Sequence, residues 1–131
     1  MERIAALFCH VPEGLSEAEM RQELQRQHDV LAQHAARAGR VIEHCFFHVG
    51  EFDLENPDSV LLRFLQRAQS EDLGLVFIES KELFPISQQA LIPKIKVCFV
   101  RENRQEIIGS EDAQVEVEDA HPRNMYMYWG I

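Results

Sequence analysis

Five residues among the first 48 carry side chains with chemistry in them: Cys9, His10, His44, Cys45 and His48. Imidazole and thiolate are zinc ligands, and a thiol beside an imidazole is the usual make-up of a cysteine nucleophile. Spacing trims the set. On a regular strand His44 and His48 stand roughly 13 Å apart, at about 3.3 Å per residue, too far to share one ion. Cys9 and His10 are consecutive and point to opposite faces of any strand that holds them. Only His10 and His48, near the exits of two strands, can meet, and they are the binding candidates. No spacing matches a zinc knuckle or an H-E-x-x-H helix, so no metal centre and no cofactor are expected. Cys9 lies inside an apolar run with no glycine elbow around it, which suits a buried thiol better than a nucleophile. The loop after it, Pro12-Glu13-Gly14, leads into a turn that carries Glu17 and Glu19. These carboxylates complement a helix N-terminus themselves and repel a phosphate arriving there.

The elements that must position these residues follow from hydrophobic pattern and punctuation. "RIAALFCHV" (3–11) is an apolar run with little alternation, as in a strand covered on both faces. Ser16 followed by Glu19 is a capping box and opens a helix. Met20, Leu24, Leu31 and Ala35 recur at helical spacing with Gln27 on the same stripe, and Gly39 is a natural stop. "RVIEHCFFHV" (40–49) is the second strand. Asn56-Pro57 has the form of a helix start, and Val60, Leu61, Phe64, Leu65 and Ala68 form that helix's buried face. "LGLVFIES" (73–80) is the third strand, Pro85 to Ile92 a short helix, and "KIKVCFV" (94–100) the fourth strand. Strands alternating with helices predict one α/β domain of three layers: a mostly parallel four-stranded sheet with helices on both faces. After residue 102 the composition turns acidic. Ile107-Ile108 and "QVEVED", separated by Gly109-Ser110, are predicted to pair as a hairpin. The aromatic end "MYMYWGI" is expected to pack on the domain or on a partner chain. The division is thus 1–102 for the α/β domain and 103–131 for an extension.

The totals bound the function. At 131 residues, 13 basic against 22 acidic side chains give a net charge of -9. That balance disfavours direct contact with a DNA backbone or anionic lipid. Three cysteines, an odd number, each in an apolar run, fit reduced buried thiols in a cytoplasmic protein. No stretch has the apolar length of a membrane span, and the start breaks at Pro12 before a signal-peptide core could form.

With the elements in order, several segments line up together: "FCHVP" at the first strand's exit, "QHDVLAQHA" before Gly39, "VIEHCFFHVG", "NPDSVLLRFLQRA", "LGLVFIES", "SKELFP" and "ALIPKIKVCFVRE". In order and spacing, the region from about Ile4 to Glu102, roughly three quarters of the chain, resembles the catalytic domain of serine recombinases, the resolvase and invertase family. The resemblance implies that family's α/β fold and a site at the strand exits. There, a serine would attack a DNA phosphodiester while arginines neutralise the phosphate oxygens. It also places unsuitable residues at those positions. Pro12 stands for the serine and His10 for its neighbouring arginine. Asn56 stands for the arginine that precedes a proline. Glu82 and Pro85 stand for the two arginines of the last motif. Proline has no nucleophile, and a glutamate in place of an arginine repels where the transition state needs positive charge. The long dimerisation helix that follows in the family is not expected here, because an acidic segment follows the fourth strand. The resemblance therefore implies a degenerate site with no catalytic residues. The reading it leads to is a non-catalytic binding, regulatory or self-associating module, a remnant of a mobile element or a recruited one, with a homodimer or another protein as partner. Two alternatives stand beside it: an active site-specific DNA recombinase, and a small metal- or nucleotide-binding enzyme that uses His10 and His48.

Overall fold

The computed structural model describes residues 4–52, 59–69, 75–84, 92–111 and 126–130. The chain runs β1 (Ile4–Val11), α1 (Glu17–Arg37), β2 (Val41–Val49), α2 (Val60–Gln69), β3 (Leu75–Ile78), a 3-10 turn (Lys81–Leu83), β4 (Ile95–Phe99), β5 (Arg104–Ile108) and β6 (Tyr126–Gly130). The strands form one sheet in the order β5-β4-β3-β1-β2-β6, all parallel except β5, which runs antiparallel to β4.

The mostly parallel sheet with a helix on each face is as the pattern requires, with six strands among the described residues rather than four. The difference lies after residue 100. The turn 100–103, with Asn103 in the left-handed region (φ 52°), folds Arg104–Ile108 back onto β4. Ile107-Ile108 thus takes β4 as a hairpin partner; the expected pairing with "QVEVED" (114–119) falls outside the described residues. β4 is apolar and needs a neighbour on its free side, and the short turn makes the next segment the nearest candidate. The last strand pairs along β2, from His44 opposite Tyr126 to His48 opposite Gly130. The expected helix over 85–92 falls almost wholly outside the described residues, as does Asn56-Pro57.

Each helix forms where its signals lie. Ser16 caps α1: its hydroxyl accepts from the Glu19 amide and the Glu19 carboxylate accepts from the Ser16 amide. Ser59 performs the same task for α2, its hydroxyl accepting from the Leu62 amide at 3.0 Å. The two helices cover opposite faces. Leu24, Leu31 and Ala35 of α1 pack on Leu7, Cys9, Cys45 and Phe77. Val60, Leu61, Phe64 and Leu65 of α2 pack on Phe8, Phe46, Ile78 and Phe99. β1 therefore sends alternate side chains into two separate cores, which is why its sequence shows no polar alternation.

Candidate functional site

β1 is the pivot of the sheet. The chain passes from β1 to β2 on one side, then steps over β1 to reach β3 on the other. In open α/β sheets a crevice forms at such a reversal, at the carboxyl ends of the strands, and ligands bind there.

Here the chain's own side chains occupy the crevice. β3 ends at Ile78, level with Phe8, while β1 continues to Val11. The Val11 carbonyl faces β2, where it accepts from the Gly50 amide at 2.9 Å. The N–H and C=O of His10 face the other way, towards a gap that β3 does not reach. Gln27, 1% exposed, fills that gap from α1. Its Oε1 accepts from the His10 amide at 2.9 Å, and its Nε2 donates to the His10 carbonyl at 2.8 Å and to Glu23 at 2.9 Å. A glutamine on an apolar helical stripe thus replaces one rung of a missing strand.

Beside it lies an ion-pair cluster. Glu79, the residue after β3, is buried, and its carboxylate takes a two-pronged grip from Arg26 (2.6 and 2.7 Å) and a third bond from Arg101 (3.1 Å). Arg26 also holds Glu23 at 2.7 and 2.9 Å. The Arg26 hydrogen bonds, with help from Gln27, hold the Glu23 carboxyl down at about 2. Beyond, Ser80 accepts from the Glu82 amide and donates to Glu102, so its hydroxyl ties down the 3-10 turn. Ser80, Lys81, Glu82, Arg101 and Glu102 line an open depression of about 600 Å³ in which acids and bases alternate.

On the other face of β1 the two histidines meet. His10 and His48 stand in register on β1 and β2, and their Nδ1 atoms are 3.0 Å apart. His48 is fully buried and His10 partly so. Phe52 lies parallel to the His48 ring at 4.7 Å and tilted over His10 at 4.6 Å. Burial, and then the repulsion of a charge on His10, push His48 down to about 4, and burial pushes His10 below its ordinary value. At neutral pH both rings are uncharged, so one Nδ1 donates and the other accepts. The Nε2 of His48 is buried and has no hydrogen-bond partner among the described residues.

The sequence-derived positions are thus distributed as follows. His10 and His48 come together. Pro12 lies exposed just past β1, and Glu82 sits in the 3-10 turn after β3. Asn56 and Pro85 lie outside the described residues. Cys9 points away from His10 into the α1 core, and burial raises its thiol, as it raises those of Cys45 and Cys98. All three cysteines are free. Among the described residues no group of three or more His, Cys, Asp or Glu could hold a metal ion. No described helix is long and apolar enough to cross a membrane. The Arg26–Glu79–Arg101 cluster was not legible in sequence. Its one visible trace is a carboxylate at the end of the apolar "LGLVFIES".

No family model matches the chain, and no curated protein matches it. A solved structure does: the N-terminal catalytic domain of TP901-1 integrase, with a TM-score of 0.62 and 16% identity over 78% of this chain and 81% of that one. At that identity the likeness is one of architecture: the chain has the α/β fold of a recombinase catalytic domain.

Proposed function

We propose that this chain is a non-catalytic domain of recombinase-like fold that works by binding, as a regulatory or self-associating module. The observation that carries this reading is the closed crevice between β1 and β3. Gln27 fills it, and the two guanidinium groups beside it, Arg26 and Arg101, are engaged by the buried carboxylate of Glu79. A phosphate placed there would have to displace a carboxylate that already makes three charge-assisted hydrogen bonds. The positions that the resemblance assigns to chemistry support the same reading. Pro12 offers no hydroxyl at the β1 exit, and Glu82 brings negative charge to the β3 exit. Ser80, which follows the β3 exit, is bonded to Glu82 and Glu102. The net charge of -9 sets the whole molecule against a DNA backbone, so the expected partner is a protein: a second copy or another chain, met in the cytoplasm with the thiols reduced.

Incubation with supercoiled plasmid, with and without a divalent cation, tests the first half. The expected result is no nicked or linear product, and a nicked product that denaturation leaves bound to protein would overturn it. Size-exclusion chromatography with light scattering tests self-association. A mass that rises above 15.2 kDa with concentration is expected, and a constant monomer would remove that half.

A further inference from the structure

A buried imidazole is an expensive choice for the core. An unpaired buried polar atom costs about 1–3 kcal/mol, and a leucine or phenylalanine at position 48 would avoid that cost. The polar contact His48 does make is through Nδ1, towards Nδ1 of His10. The geometry therefore gives the ring one chemical use, at the point between the two Nδ1 atoms. We propose that His10 and His48 form a two-imidazole site for a zinc-class divalent transition-metal ion; the ion takes the place of the proton between their Nδ1 atoms, and that proton moves to Nε2 of its own ring, so both imidazoles bind as neutral Nε2–H tautomers.

Four observations carry the assignment. The distance fits: with Zn–N bonds of about 2.0–2.1 Å, tetrahedral ligation sets the two nitrogens about 3.3 Å apart, a few tenths of an ångström wider than the 3.0 Å seen. The rings are preorganised. Strand register fixes both backbones, and Phe52 and Phe8 stack against His48, so little side-chain freedom is left to lose. Entry is open from one side, because His10 is partly exposed while His48 is not. The surroundings favour a cation: the chain carries -9, and the Glu13 side chain folds over Gly50, two residues beyond His48, so near that a Cβ on Gly50 would lie 3.0 Å from its Oε1. With two protein ligands among the described residues, the remaining positions on the ion go to water or to a partner's side chain. This is a binding site on the face of the sheet opposite the Gln27 crevice, and it stands whether or not the chain cleaves DNA.

The test uses the full chain, stripped with chelator and titrated at pH 7.5 with Zn²⁺ by calorimetry and with Co²⁺ by visible absorption. One equivalent is expected, with Co²⁺ bands of nitrogen and oxygen ligation and no sulfur charge-transfer band. His10→Ala, on the accessible ring, is expected to weaken binding at least tenfold while keeping its circular dichroism spectrum. His34→Ala, on α1, is expected to bind as the parent does. Because His48→Ala opens a core cavity and risks the fold, the second readout is histidine NMR on the unmodified chain: Co²⁺ should broaden the His10 and His48 ring signals first. No saturable binding, binding unchanged by His10→Ala, or broadening that begins at other histidines would overturn the proposal.

Discussion

His48 and Gln27 show how a single polar side chain inside a core acquires a measurable signature. In the metal-free chain His48 is held uncharged, with its proton affinity lowered from 6.5 to about 4. The unfolded chain therefore binds more protons than the folded one between those values. Stability from this group is complete above pH 6.5 and falls as the pH drops towards 4. Chemical denaturation in chelator should show a loss of about 2 kcal/mol between pH 7.5 and 5 from this residue, at 1.36 kcal/mol per unit. His48→Leu should lose most of that slope. Gln27→Ala leaves the His10 amide and carbonyl without partners, and urea denaturation at pH 7.5 should report a cost of about 1–3 kcal/mol. The sequence held the clue to Gln27, a polar residue on an apolar helical stripe. It also held the clue to the histidine pair, two imidazoles near neighbouring strand exits. Strand register, which a single sequence does not state, turned that proximity into a 3.0 Å contact.

At the scale of elements, the legible parts were those with both a period and a punctuation mark. α1 has a capping box, an apolar stripe and a glycine stop, and it forms at Glu17–Arg37. The first four strands were visible as apolar runs bounded by polar loops. The turn into β5 was not, because Arg104–Ile108 is polar on most positions and owes its strand to an edge that β4 leaves open. The end of β5 depends on one glycine. Gly109 has φ 89°, and a Cβ there would lie 2.2 Å from the Pro93 carbonyl oxygen, where Ser110 pairs with the segment leading into β4. Gly109→Ala combines a left-handed backbone with a backbone clash, and it should cost more than about 2 kcal/mol in thermal or urea denaturation. Gly39→Ala has a similar φ of 70° but nothing within 4 Å, and it should cost less. Equal losses at the two sites would show that the close packing of β5 on the β4 entry is not a constraint.

At the scale of the molecule, alternating strands and helices fixed a parallel sheet with two cores, and the integrase domain shares that architecture at 16% identity. What the alternation could not convey is which side of β1 each later strand joins. The crevice chemistry depends on that, because Arg26, Glu79 and Arg101 are brought together from α1, the β3 exit and the turn after β4. We propose that this crevice serves as a closed structural joint and not as a phosphoryl-transfer site. Intact-mass spectrometry of the chain after incubation with duplex and supercoiled DNA, followed by nuclease digestion under denaturing conditions, tests it most directly. The unmodified chain mass, and nothing heavier, is expected. A species heavier by a nucleotide phosphate, with the addition mapped to a serine, would contradict it.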